Sequence, residues 1–358
     1  MPKPLDLSRL KVLPLAERDS MAAIDEVLID PTSPPTDCTS AQRAQIAQCA
    51  ANLRAARDRG AGVLLIYGAH LVKNGAHKIL DRLMAGGWLT HLATNGAGVI
   101  HDWEWAHHGR STESVRANVA TGTFGAWDET GRNIHLALLA GAPRGDGFGQ
   151  SIGRFIEEDG VTISDPATLE ANPTPANAEL HSAIRAHDLA TGRHEVTHPW
   201  KQTSVLASAF RHGVPLTVHP GIGYDIISNH PMFNGAVLGR AADLDYRLFG
   251  GAVETLDQGA VLSVGSAIMG PQVFEKSLSC VNNLRLQDGR EIVQNHTIHV
   301  IDIQDGGNWD WTQGEPPKDS PAYYLRFCKS YARMGGTMHY HQCDNTTFLH
   351  HLLNELEN

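Results

Sequence analysis

Positive charge is in short supply: 29 lysines and arginines stand against 39 aspartates and glutamates, a net charge of −10. Without a basic excess to displace counterions, nucleic acid is not an expected partner. Cysteine is scarce as well. The five residues (Cys38, Cys49, Cys280, Cys328, Cys343) are odd in number, scattered and without CxxC spacing, which fits free thiols in a reducing cytoplasm better than a disulfide framework. Long apolar runs are missing. None approaches the roughly 20 residues of a membrane span, and Met1 to Leu15 lacks the apolar core of a secretion signal, so no membrane partner is expected.

The 358 residues are enough for one large or two ordinary domains, and 42% hydrophobic with 19% charged residues fits a soluble globular chain. The first segment, 1–35, carries one helical pattern (Leu15 to Val27) and the proline cluster Asp30 to Pro35, which reads as an arm lying over the main body, 36–358. Thr39 and Ser40 can cap a helix over Ala41 to Arg59. Gly62 to Tyr67 is a continuous apolar run with the composition of a buried parallel strand. A helix through Met84 and a strand over Trp88 to Ala93 follow. Pro215 to Val218, Ala260 to Val264 and Thr297 to Ile303 read as further strands, and 182–190, 201–212 and 346–356 as helices.

This alternation predicts an α/β fold: a Rossmann-like parallel sheet with helices on both faces, plus an N-terminal helical arm. Each strand run ends in glycine, a small polar residue or a carboxylate. In open α/β sheets ligands sit at the carboxyl ends of strands, so these residues are expected to converge on one crevice. The glycine-rich 141–149 stretch is a candidate lid or subunit contact.

Trp88 to Arg110 is the most informative stretch. Its strand breaks on Asn95-Gly96-Ala97-Gly98 and a helix follows, an order that leaves free N–H groups and a positive dipole end suited to a phosphate. The plainer alternative is a tight turn with no ligand. His101, Asp102 and Glu104 lie just beyond and can move protons or hold a polar substrate. Histidine is abundant, with 20 residues. The groups 101–108, 339–343 and 350–351 keep a metal-dependent hydrolase open as an alternative, although no HExxH pattern occurs and no metal ligands are assigned.

The order of these segments resembles the deoxyhypusine synthase-like family from about Ala61 to Leu353. Leu64 to Gly75 and Leu92 to Asp102 resemble its first two strand–turn units, and Val214 to Asp225 its glycine-and-aspartate turn. Gly265-Ser266-Ala267 sits where the family has a run of glycines. Val300 to Asp310 resembles the strand entering its glycine-and-aspartate loop. Tyr323 to Lys329 resembles the helix bearing its catalytic lysine, and Asp344 an aspartate beside the adenosine of NAD.

The resemblance implies NAD as cofactor, held by His70, Thr94, Asn95, Gly96, Gly98, Gly223, Asp225, Gly265, Ser266, Asp305 and Asp344. It implies catalysis by Lys329 with His101 and Asp102, Lys329 being made a nucleophile by desolvation on an apolar helix. Ile100 and His101 replace the family's paired glutamates, Gly270-Pro271 its lysine–histidine pair, and Tyr323 its acidic residue, so true deoxyhypusine synthesis is not expected. His101-Asp102-Trp103-Glu104 also resembles, more distantly, the His-Asp-x-Glu of archaeal-type NAD-dependent ornithine cyclodeaminases. The shared expectation is a cytoplasmic NAD-dependent transferase or lyase that transiently oxidises a small amine substrate. It would work as a homo-tetramer with sites at a dimer interface. A catalytically silent NAD-binding homologue is the other outcome.

Overall fold

The computed structural model describes residues 2–358. Six strands form its sheet: β1 (Val63–Tyr67), β2 (His91–Asn95), β3 (Leu216–His219), β4 (Ala260–Val264), β5 (Thr297–Asp302) and β6 (Thr337–Gln342). They lie in the order β6-β5-β4-β1-β2-β3, with every pairing parallel. That is the doubly wound Rossmann order, which reverses direction between β1 and β4. The reversal opens a crevice above the carboxyl ends of those two strands.

Alternation along the strands explains why both faces are covered. In β1, Val63, Leu65 and Tyr67 belong to one apolar cluster, while Leu64 and Ile66 belong to another. Period-2 side chains bury a strand completely only when helices pack on both sides. The principal helices are α1 (Ser40–Asp58), α2 (Ala69–Lys73), α3 (His77–Ala85), α4 (Gly96–His108), α5 (Asp128–Gly141), α6 (Phe148–Glu157), α7 (Val205–His212), α8 (Gly235–Val253), α9 (Met269–Gln287), α10 (Arg326–Ala332) and α11 (Asn345–Glu357). Ile46 of α1, Leu80 of α3, Trp103 of α4 and Leu352 of α11 fill the first cluster. Phe249 of α8, Phe274 of α9 and Tyr331 of α10 fill the second.

The arm is not helical as expected. It holds 3-10 turns at Leu7–Arg9 and Leu15–Glu17 and a single helical turn at Ile24–Val27. The rest is extended because the body supplies backbone partners: Leu13 bridges to Trp127, and Ala22–Ala23 pairs with Arg110–Ser111. Of the glycine-rich 141–149 stretch only Pro143, Arg144 and Gly145 are exposed. Asp146 to Gly149 are buried, and Gly149 N–H is held by Asp245 at 2.9 Å as α6 begins. β6 was not anticipated. Its sequence, Thr-Met-His-Tyr-His-Gln, has no continuous apolar run, as suits an edge strand. Among the described residues no helix is long and apolar enough to cross a membrane.

Candidate functional site

A cavity of about 220 Å³ opens at the carboxyl ends of β1–β3, lined among others by Arg18, Lys73, Ile100, His101, Glu113, Tyr224 and Asp225. Its floor is the turn between β2 and α4. Thr94 donates to Tyr67 O at 3.1 Å, tying β2 to β1, and Asn95 caps α4 by accepting Gly98 N–H at 2.9 Å. Asp225, folded back from the loop after β3, accepts Gly221 N–H at 2.7 Å and also Ala97 N–H. The donors expected to face a phosphate are therefore occupied by the chain's own oxygens. Gly96 and Gly98 are small for the same reason: a Cβ on Gly96 would lie 2.0 Å from Asp225 Oδ2, and one on Gly98 2.2 Å from Thr94 Oγ1. Burial pushes Asp225 up to about 6, against the pull of those two backbone donors.

His101 is the one titratable group of α4 that reaches this cavity while staying free on one side. Its Nδ1 lies 2.7 Å from Ser111 Oγ, and Ser111 donates to Glu104 Oε2 at 2.6 Å. Glu104 is buried against Arg18 of the arm in a two-pronged ion pair, 2.6 and 2.9 Å, with Thr130 donating at 3.0 Å. Burial alone would raise the Glu104 pKa, but the Arg18 charge and these hydrogen bonds outweigh it and hold the group below its usual value. Burial pushes His101 down to about 4, only partly offset by the Glu104 charge.

Asp102 does not join them. One residue is 100° of helix, so it points away from the His101 and Glu104 face, which i, i+3 spacing unites. It accepts Ser204 Oγ at 2.6 Å, Val205 N–H at 2.8 Å and Leu206 N–H at 3.1 Å, and so anchors the start of α7. Burial raises it to about 6 despite those donors.

The second place of interest is the strand reversal itself. A Cβ on Gly68 would meet Gly265 O at 2.1 Å, so the tips of β1 and β4 touch through backbone. Gly265 takes φ +60 beside the Asn345 amide, whose Oδ1 is buried with no partner. Ser266 Oγ accepts Gly270 N–H at 3.0 Å, while the first residue flanking α9, Ile268, offers no side-chain cap. Gly223 lies in the β3 loop at φ +93, and His70 is exposed at the start of α2 near His101.

No protein-family model matches the chain, and no curated protein does. Solved structures similar to it include the apo arginine dihydrolase ArgZ of the cyanobacterial ornithine–ammonia cycle (12% identity, TM-score 0.41, covering 88% of this chain and 33% of that one). The ternary complex of AgrE with ornithine and NAD+ is another (14%, TM-score 0.43, 89% and 34%). A protein assigned as a deoxyhypusine synthase from Entamoeba histolytica is a third (7%, TM-score 0.40, 88% and 88%). The chain thus spans about a third of the length of the ArgZ and AgrE proteins. The family resemblance read from the sequence reaches a distant likeness of fold, and the fold assignment rests on the strand order itself.

Three further residues of the expected site have contacts of their own. Lys329 on α10 is half-buried, with Nζ 3.5 Å from the centre of the Tyr323 ring. Asp305 is exposed and closes its own turn by accepting Gly307 N–H at 2.9 Å. Asp344 caps α11, accepting Thr347 N–H at 2.9 Å.

The histidine groups also disperse. His107 stacks on Trp103, His350 and His351 face the carbonyls of Pro31 and Thr36, and His299, His339 and His341 stack on one another. Among the described residues no group of three His, Cys, Asp or Glu side chains is placed to hold a metal ion.

Arg18, Ser111, Lys73, Gly68 and Asn345 were missed in the sequence. The i, i+3 pairing of His101 with Glu104 was the available signal for the relay. Nothing local marks Arg18, which reaches Glu104 across 86 residues of chain.

Proposed function

We propose that this chain is an NAD-dependent enzyme of the transferase or lyase type that transiently oxidises a small amine-bearing substrate. The observation that supports the reading is the strand reversal between β1 and β4, in a sheet whose carboxyl end also holds a cavity presenting His101 and Asp225. Dinucleotides bind at such reversals in folds of this order.

The residues present fit the cofactor at the β1/β4 tips and not at the β2 turn. Gly265, at positive φ where β4 ends, lies beside the orphaned Asn345 Oδ1, which can accept from a ribose hydroxyl. NAD, when bound, supplies a reversible hydride acceptor. The chain supplies the rest. Asp225 and Glu113 draw in an ammonium, Ile100, Phe124 and Tyr224 wall it from water, and His101 collects a proton from the amine.

A homo-tetramer with sites at a dimer interface belongs to the same reading. Ile222, Tyr224 and Ile268, 60%, 70% and 76% exposed in the loops that follow β3 and β4, support a covering neighbour. Acid-quenched protein assayed for released NAD, followed by titration of stripped protein with NAD+, tests the proposal. The expected result is saturable binding that is weakened by Gly265→Val and retained in His101→Ala, with amine-dependent reduction lost in the latter. Absence of any NAD binding would overturn it.

A further inference from the structure

The hydrogen bonds around His101 determine which of its nitrogens carries the proton. Glu104 is ionised, so its oxygens can only accept. They already take two prongs of Arg18, the Thr130 hydroxyl and the Ser111 hydroxyl. Ser111 has a single proton and commits it to Glu104. Toward His101 its Oγ is therefore an acceptor, and the 2.7 Å contact requires a proton on Nδ1. A neutral imidazole protonated at Nδ1 has a lone pair on Nε2. That atom makes no hydrogen bond within the chain and is not among the buried polar atoms, so it reaches the cavity.

We propose that Ser111 and Glu104, with Arg18 from the arm, are positioning residues that fix His101 as the Nδ1–H tautomer and present Nε2 to the cavity as an acceptor. The group it meets is then a donor, the N–H or O–H of a substrate, and not a carbonyl or carboxylate oxygen. This rests on the reading of the cavity as the substrate site, but the tautomer does not depend on it. In the amine oxidation proposed above, NAD would supply the hydride acceptor, and Nε2 is the atom that would take one N–H proton from the substrate, leaving His101 as imidazolium. The Nδ1–H then still points through Ser111 to Glu104. Since burial and the Arg18 charge together outweigh the pull of Glu104, the imidazolium is an easily spent acid, suited to giving the proton back. Lys73 and His70 add to that tendency from α2, both disfavouring charge on His101.

The arm thereby acquires a chemical task. Arg18 holds Glu104 ionised, ionised Glu104 takes the Ser111 proton, and that direction of donation sets the histidine. An amide in place of Glu104 can donate to Ser111 Oγ, which then turns its proton onto Nδ1. Glu104→Gln is expected to reverse the relay and place the proton on Nε2.

The test is two-bond 1H–15N correlation of deuterated protein labelled on histidine, with His101 assigned by its disappearance in His101→Gln. The wild type is expected to show a protonated Nδ1 and a bare Nε2. Ser111→Ala should give mixed tautomers, Ser111→Thr should restore the single form, and Glu104→Gln should show Nε2 protonated. If Glu104→Gln fails to fold because Arg18 is left unpaired, Arg18→Met/Glu104→Gln carries the same readout. A wild-type Nε2–H, or a tautomer unchanged in both Ser111→Ala and Glu104→Gln, would overturn the proposal. Once turnover is in hand, Ser111→Ala should lower kcat about 10- to 100-fold with KM little changed, and Ser111→Thr should recover most of it. A correct tautomer in protein that binds no NAD would leave the relay standing and remove the functional proposal alone.

Discussion

Lowering the pH should unfold this protein through its histidines before its carboxylates. Burial pushes His77, His91 and His341 down to about 3, and His101, His135, His198, His219 and His296 down to about 4. A histidine whose folded pKa is depressed adds stability that is fully present above its unfolded value, near 6.5, and is lost as pH falls toward the folded one. Three buried aspartates act the other way. Asp102 and Asp225 are raised to about 6 and Asp245 to about 7 by burial, so the folded state keeps their protons in weak acid. At pH 5 the unfolded chain carries eight histidine protons that the folded chain lacks, and the folded chain holds three carboxyl protons that the unfolded chain lacks. The difference of about five protons gives a slope of roughly 7 kcal/mol per pH unit.

A typical stability of about 5–15 kcal/mol would be consumed within about two units below pH 6.5. Urea midpoints measured at half-unit steps from pH 7.5 to 5, with proton uptake on unfolding followed by calorimetry in two buffers, check this. An uptake below about two protons at pH 5 would refute the reasoning, because it would mean the histidines are charged inside the folded molecule.

Other perturbations separate structural from functional roles. Arg18→Met leaves Glu104 buried without its counter-charge and should cost about 3–5 kcal/mol. Because burial without Arg18 raises the Glu104 pKa, the variant should take up a proton already above the usual glutamate value, and the deficit should shrink from there as pH falls, read from denaturant midpoints. Asp102→Ala removes three hydrogen bonds at the start of α7 and should cost about 1–2 kcal/mol while NAD affinity is unchanged, a result measurable by parallel denaturation and titration. Gly68→Ala forces a Cβ to within 2.1 Å of Gly265 O, so the β1 and β4 tips must part. NAD affinity is then expected to fall at least about tenfold, or about 1.4 kcal/mol. Lys329→Ala should cost about 0.5–1 kcal/mol through its lost ring contact and leave turnover in place, which a coupled assay on purified variants decides.

The sheet was legible because its strands are short apolar runs that end in small polar residues. All five residues of β1 are buried, as an apolar run bounded by glycines suggests. What the chain does not write locally is adjacency. Nothing near residue 63 announces that it pairs with residue 260, and the crevice exists only because it does. Direction around a helix was the second blind spot: Asp102 and Glu104 look equivalent in sequence, yet one anchors α7 and the other meets Arg18. The arm shows the third, since its helical periodicity lost to backbone partners at Trp127 and Arg110–Ser111 that only the folded body offers. Asp225 lines the His101 cavity, and its carboxylate lies at the helix start that a phosphate was expected to take.

The pairing of Val63 with Ala260 also governs how the molecule is born. Ribosomes release β1 almost 200 residues before β4. At about 5–20 residues per second the growing chain must hold one side of its most apolar strand bare for roughly 10–40 s. During that interval β1 can stick to any neighbouring extended segment, including the same strand on the next polysome-bound copy. Yield from cells should therefore track translation speed and holdase supply more closely than the thermodynamic strength of the finished fold.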